Sequence, residues 1–205
     1  MKDVFIGPEN GKLHGVYVAA DASGRPGIVV CHPHPQYGGS MDNNVVLGVC
    51  AALVEADMNA LRFNFRGVGR SSGAGTTDGS GEAEDVRLAV DFLAADSSVG
   101  DIFVIGYSYG AAVGLRAAAD DDRIAALVGI APPTSMFDFG FLHGNDKPIL
   151  LIAGSHDEFC DPDALLPVLK DGVDRLEIID GADHFFIGEE TALGNLAADF
   201  LQQNY

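Results

Sequence analysis

The sequence is short of basic residues, has little cysteine and contains no tryptophan. Twelve Lys and Arg stand against 30 Asp and Glu, for a formal net charge of −18 over 205 residues. Only four of the basic residues are Lys, and 22 of the acids are Asp. A surface this negative repels phosphate backbones and anionic headgroups, so the expected partner is neither nucleic acid nor membrane. Cys31, Cys50 and Cys160 are odd in number and lack metal-ligand spacing. They read as free thiols of a cytoplasmic chain without a metal or other cofactor. No apolar run approaches the roughly 18 to 20 residues of a membrane span. The opening stretch, with charges at Lys2, Asp3, Glu9 and Lys12, does not read as a signal peptide.

What remains is a globular composition, 47% hydrophobic and 20% charged, of a length suited to one domain over 1–205. Its self-association is left open between monomer and homodimer. Short apolar runs alternate with longer helical patterns. Strands are expected at Val4–Ile6, Leu13–Ala20, Gly27–Cys31, Ala60–Phe65, Asp101–Gly106, Ala125–Ile130, Pro148–Ala153 and Arg175–Ile179. The last six are apolar on both faces, as in a covered parallel sheet. Helices are expected near 41–57, 81–95, 109–119, 162–170 and 187–203. In the second of these Val86, Ala89, Val90 and Leu93 recur at helical spacing. Glu82, Glu84 and Asp85 place negative charge in its first turn, where the helix dipole favours it. The alternation describes an α/β fold: a mostly parallel, twisted sheet of eight (or seven) strands with helices on both faces. Its ligand region lies at the carboxyl edge of the strands.

The most informative stretch is DIFVIGYSYGAAVGLRAAA. An apolar strand runs into Gly106-Tyr107-Ser108-Tyr109-Gly110, and a small-residue helix follows. This is G-x-S-x-G in strand–turn–helix context, which holds a serine on a tight turn above the sheet. Side chains two positions to either side would collide, hence the two glycines. Serine needs a positioned base, and the expected chain order is serine, acid, histidine. Asp157 follows the strand Pro148–Ala153, with Glu158 and Asp161 as alternatives. His184 follows the strand Arg175–Ile179. Among its rivals, His14 is expected exposed, His143 in a surface loop and His156 in a turn. Asp183 is expected to be a solvated neighbour.

Two further loops frame this site. After Gly27–Cys31 comes His32-Pro33-His34-Pro35-Gln36-Tyr37-Gly38-Gly39. Such a loop can supply one oxyanion donor beside the Tyr109 N–H. Pro33 and Pro35 have no N–H, which favours His34, with Gln36 or Tyr37 as alternatives. His32 and His34 read as loop-packing residues. After Ala60–Phe65 comes Arg66-Gly67-Val68-Gly69-Arg70-Ser71-Ser72-Gly73, a sharp backbone turn with Arg66 as an anchor for backbone carbonyls.

Together HPHPQYGGSMDNN, LRFNFRGVGRSSG, GYSYG, GSHDEF and GADHFF resemble the α/β-hydrolases over nearly the whole chain. The likeness is to the small, capless bacterial group related to dienelactone hydrolases and carboxylesterases. It implies Ser108, Asp157 and His184 as catalytic triad, with His34 and Tyr109 near the oxyanion-hole positions. Serine stands where dienelactone hydrolases have cysteine, and Asn64 where an Asp often stands. Only Ala131–Lys147 separates the strands that flank a cap in larger relatives, too short for a helical cap. Its Met136 and Phe137, with Tyr37, Tyr107 and Phe185, are candidates for an apolar substrate wall; Phe139, Phe141 and Leu142 fit core packing equally well. The expected substrate is a small, short-chain ester.

Overall fold

The computed structural model describes residues 1–8 and 12–205; Glu9 lies outside them. Its centre is one eight-stranded sheet: β1 (Lys2–Ile6), β2 (Leu13–Val18), β3 (Arg25–Cys31), β4 (Asn59–Phe63), β5 (Val99–Tyr107), β6 (Ile124–Ile130), β7 (Ile149–Gly154) and β8 (Arg175–Ile179). The spatial order is β1-β2-β4-β3-β5-β6-β7-β8. β2 pairs antiparallel with both β1 and β4, and all later pairings are parallel. Four helices cover it: α1 (Asn44–Glu55), α2 (Ser80–Ala94), α3 (Tyr109–Ala119) and α4 (Glu190–Gln202).

The inner stretches of the central strands, such as Ile28–Cys31 of β3 and Ile102–Ile105 of β5, are apolar at every position because both faces are covered. Alternate residues serve opposite layers. Val29 and Val104 meet the α2–α3 side with Leu93 and Leu115. Ile28, Val30, Phe103 and Ile105 meet the α1–α4 side with Leu53 and Phe200. Edge strand β8 departs from the expectation: every residue in it is at least partly exposed, since no strand covers its outer side.

Two helices differ from the sequence reading in instructive ways. The stretch 162–170 forms two 3-10 turns, Pro162–Ala164 and Leu166–Val168. Pro167 lacks the N–H that a continuous helix needs, and its ring crowds the preceding turn. In α2 the apolar face is buried as expected, but its acids do more than favour a dipole. Glu82 is buried and accepts from the Thr76 N–H at 3.0 Å and its hydroxyl at 2.5 Å. Asp85 is also buried; it accepts from the Arg66 N–H at 2.8 Å and from Arg66 Nε and Nη2 at 3.0 and 2.7 Å. Arg66 therefore anchors the loop after β4 through carboxylates, not backbone carbonyls.

That ion pair makes a stability test. Asp85→Ala strands a guanidinium whose side chain is 22% exposed, and is expected to cost about 3 kcal/mol. Glu84, the exposed second partner at 3.1 Å, is expected to cost under about 0.5 kcal/mol when truncated. Urea melts of the two variants check the contrast.

Candidate active site

Ser108 sits between β5 and α3 with φ 55° and ψ −117°, a strained conformation for a residue with a side chain. Its N–H donates to the Ile130 carbonyl at 2.8 Å, and its own carbonyl accepts from Ala111 and Ala112 as α3 begins. The glycine requirement differs in detail from the sequence reading. A Cβ on Gly106 would strike the Gly110 backbone, as expected. A Cβ on Gly110 would instead strike the Cys31 carbonyl and, at 2.7 Å, the carbonyl of His32. The end of β3 thus sets the second glycine.

Three sequence candidates meet in one chain of hydrogen bonds. Ser108 Oγ lies 2.9 Å from His184 Nε2, and His184 Nδ1 lies 2.8 Å from Asp157 Oδ2. The Asp157 side chain is fully buried. Its Oδ1 accepts from the N–H groups of Phe159 at 2.8 Å and Cys160 at 3.1 Å. Both of its oxygens are thus engaged, Oδ1 by two backbone N–H groups and Oδ2 by His184. The carboxylate holds the proton on His184 Nδ1 and leaves the Nε2 lone pair toward Ser108. Tyr107 donates its hydroxyl to the His184 carbonyl at 2.8 Å. The other acids are elsewhere: Glu158 is exposed, Asp161 accepts from the Asp163 N–H, and Asp183 from the Phe185 N–H.

His143 and His156 are exposed. His14 is not, contrary to expectation: it is 7% exposed, with Nε2 3.3 Å from Arg70 Nη1 and 3.6 Å from Asp3 Oδ1. The partners come from another strand and a distant loop, which a local reading does not see.

The loop after β3 consumes most of its own donors. The Gln36 N–H donates to His34 Nδ1 at 3.1 Å. Those of Tyr37 and Gly39 donate to the His34 carbonyl, and that of Gly38 to Pro35, each at 3.1 Å. Among the described residues this leaves the His34 N–H as the unspent donor between Pro33 and Gly39. Tyr109, first residue of α3, has no N–H acceptor within its helix. The His34 ring packs on Tyr109, with centroids 4.4 Å apart, and partial burial pushes its pKa below the ordinary imidazole value.

Two residues beneath the loop do more than the sequence indicated. His32 is completely buried; its Nδ1–H donates to the Pro33 carbonyl at 2.6 Å and its Nε2 accepts from the Phe65 N–H at 3.1 Å. Both nitrogens are spent, so it is a structural pin in a fixed neutral tautomer. Asn64 accepts from the Met41 N–H at 2.8 Å and donates its own N–H to the His14 carbonyl at 2.8 Å. It ties the loops after β3 and β4 together. No sequence pattern marks that role.

Burial lowers the His32 pKa to about 4, from an ordinary 6.5. Between those values the unfolded chain takes a proton that the folded one refuses. Stability from this group is therefore present above pH 6.5 and is lost as pH falls toward 4. The slope is about 1.4 kcal/mol per pH unit, or about 3 kcal/mol in all. Denaturant melts across this range should show His32→Gln less acid-sensitive than wild type by that amount; equal slopes contradict it.

Above Ser108 opens a cleft of about 570 Å³. All five residues expected to form an apolar wall line it: Tyr37, Tyr107, Met136, Phe137 and Phe185. Tyr37 and Phe185 are exposed at its rim, whereas Tyr107 is buried and faces the cleft from beside His184. Pro133, Phe159 and Asn43 also line it and were not singled out from sequence. Phe159 packs its ring 4.9 Å from His184; its place two residues after Asp157 was the available signal. The segment 131–147 divides. Met136 and Phe137 face the cleft, Phe139 and Leu142 enter the core, and Phe141 packs under Arg116 at 4.3 Å. Among the described residues no cluster of His, Cys, Asp and Glu could hold a metal ion, and no helix is long and apolar enough to cross a membrane.

A strained serine on a strand–helix turn, over a mostly parallel sheet with these loop positions, defines the α/β-hydrolases. The family model for the alpha/beta hydrolase fold matches residues 28–145. The chain belongs to this family. It is 33% identical to an uncharacterised protein of Rickettsia prowazekii, over 98% of this chain and 90% of that one. It is 31% identical to a protein of unknown function from Agrobacterium tumefaciens, whose structure superposes with a TM-score of 0.88 over 98% of this chain and 95% of the other. A serine hydrolase without a lid from Xanthomonas campestris is also 31% identical, with a TM-score of 0.85 over 98% and 94% of the two chains.

Proposed function

We propose that this protein is a serine carboxylic ester hydrolase for small, short-chain esters. The observation that carries the reading is the Ser108–His184–Asp157 hydrogen-bond chain at the floor of an apolar cleft.

In this reading Ser108 Oγ attacks the ester carbonyl carbon while His184 Nε2 takes the hydroxyl proton. The carbonyl π pair moves onto oxygen. The N–H groups of Tyr109 and His34 stabilise that oxyanion. The tetrahedral intermediate collapses, the bond to the alcohol oxygen breaks, and His184 returns its proton to the departing alcohol. Water then attacks the acyl-serine, again losing its proton to His184, and the acid leaves as Ser108 Oγ is reprotonated. Asp157 stays ionised and stabilises the imidazolium. No cofactor takes part in any step. Three free, buried thiols suit a reducing compartment such as the cytoplasm.

The capless cleft favours acyl groups short enough to be covered by Met136, Phe137 and Phe159. The test is a series of 4-nitrophenyl esters from acetate to palmitate. The expected kcat/KM is highest at two to four acyl carbons and falls at least tenfold by eight. A maximum at long chains overturns the substrate class. Added methanol or glycine ethyl ester separates hydrolysis from the alternative reading of the same triad as an acyltransferase: release of free acid as the main product supports hydrolysis, and dominant acyl transfer contradicts it.

A further inference from the structure

The base of the triad sits on a loop, and its ring contacts alone do not fix it. Asp157 holds His184 at one atom, Nδ1, at 2.8 Å. A single bond of this kind leaves the imidazole able to pivot about it. Phe159 and Phe185 pack against the ring, but both are exposed and give it no closed socket. Where Nε2 comes to rest therefore depends on the main chain at residue 184. That main chain runs between β8 and α4, in a stretch without helix or strand.

The stretch is tied down at few points. The His156 N–H donates to the Ala182 carbonyl at 2.9 Å. Asn44 Nδ2, at the exposed start of α1, reaches the Phe185 carbonyl at 3.3 Å. Between these two, the carbonyl of His184 itself accepts from the Tyr107 hydroxyl at 2.8 Å, and among the described residues no other donor bonds to it.

Tyr107 is a firm support. It ends β5, directly before Ser108, and its backbone is in register with Ile130 of β6. It is 3% exposed and belongs to the buried cluster that includes Ile130, Ile152, Ala182 and Phe186. Burial, with the charges of Asp157 and Asp183 nearby, pushes its phenol above the ordinary value, so the hydroxyl keeps its proton and donates. One strand end thus presents the nucleophile at position 108 and grips the base from position 107.

We infer that Tyr107 is a positioning residue of the triad: its hydroxyl sets the place of the His184 main chain, and through it the approach of Nε2 to Ser108 Oγ. This rests on the esterase reading and gives the hydroxyl of Tyr107 a duty apart from the cleft wall formed by its ring. Misplacing a reacting group by about 1 Å can cost on the order of 100-fold in rate. In the esterase reading His184 moves a proton in both acylation and deacylation, so both steps depend on this support.

The test is Tyr107→Phe, which keeps the ring and removes the hydroxyl. With 4-nitrophenyl butyrate kcat should fall by about 10- to 100-fold while KM stays within about twofold. The rate of fluorophosphonate labelling at Ser108 should fall by a similar factor. Tyr17→Phe is the control for lost stability. Its hydroxyl donates to Asn59 Oδ1 at 2.9 Å, and Asn59 is the first residue of β4, at the opposite end of the sheet from the site. The two variants should melt within a few degrees of each other, with kcat of Tyr17→Phe within about twofold of wild type. A kcat for Tyr107→Phe within twofold of wild type overturns the inference. A loss carried by KM overturns it as well, since the hydroxyl would then be meeting substrate. So does an equal loss of kcat in Tyr17→Phe, which would make the effect one of general loosening. The esterase reading fails separately, if Ser108→Ala hydrolyses the ester as well as wild type.

Discussion

Ser108→Ala is expected to lower kcat for 4-nitrophenyl acetate by about 10⁴- to 10⁶-fold, with KM changed far less. The argument is geometric. Ser108 Oγ is the hydroxyl within 2.9 Å of His184 Nε2, and the strained φ of 55° aims it above the sheet. Alanine keeps the backbone and the neighbouring N–H groups but removes the attacking atom. What survives is whatever water-based turnover the oxyanion donors support. The thermal midpoint should move by only a few degrees, because the side chain is small and borders the open space of the cleft. His184→Ala should lose a similar factor, since the nucleophile and its base act as one unit.

Asp157→Asn is the second large effect, about 10⁴-fold in kcat at neutral pH. Asp157 accepts three hydrogen bonds: from Phe159 and Cys160 on Oδ1 and from His184 Nδ1 on Oδ2. An asparagine keeps its oxygen for the two backbone donors and turns its amide toward the imidazole. His184 then has to carry its proton on Nε2, where it faces Ser108 and cannot accept the serine proton. The fold is retained, because the backbone bonds to Phe159 and Cys160 survive. Glu158→Gln, Asp161→Asn and Asp183→Asn should stay within about threefold of wild type, as the carboxylate bonded to the His184 ring is that of Asp157. Steady-state kinetics of the four variants decide the matter; a large loss at Glu158 with little at Asp157 would reassign the acid.

Most of the architecture was legible because a covered parallel sheet writes itself as short apolar runs. Ile28 to Cys31, Ile102 to Ile105 and Leu150 to Ala153 are buried at every position, and their identities leave little else to be. The segment 162–170 departs from a helix because one missing N–H, at Pro167, suffices to break it into two 3-10 turns. Strand β8 was read as covered from its composition, yet its position at the sheet edge is a property of topology.

The site divides in the same way. Ser108 was marked by local sequence, and Asp157 and His184 by their places after two strands. Residues whose partners lie far along the chain carry no such local mark. His14 is buried through Arg70 and Asp3, and Arg66 is held by Asp85. Asn64, in the loop after β4, holds the loop after β3 through Met41 and strand β2 through His14. Each is a polar group satisfied at long sequence separation, so nothing in its immediate neighbours reveals it. The donor at His34 is intermediate. The prolines narrowed the choice, and the turn from Pro35 to Gly39 accounts for the rival N–H groups.

The acidic surface has no part in the chemistry, but it bears on substrate choice. A net charge of −18 opposes the approach of anionic substrates over distances of a Debye length, about 10 Å at 0.1 M salt. The apolar cleft fits the same preference at short range.

The most direct test of the central claim is stoichiometric labelling with a fluorophosphonate, followed by peptide mass spectrometry. The account predicts one adduct per chain, on Ser108, with labelling slowed by orders of magnitude in His184→Ala. An unlabelled wild-type protein, or an adduct on any other serine, would contradict it.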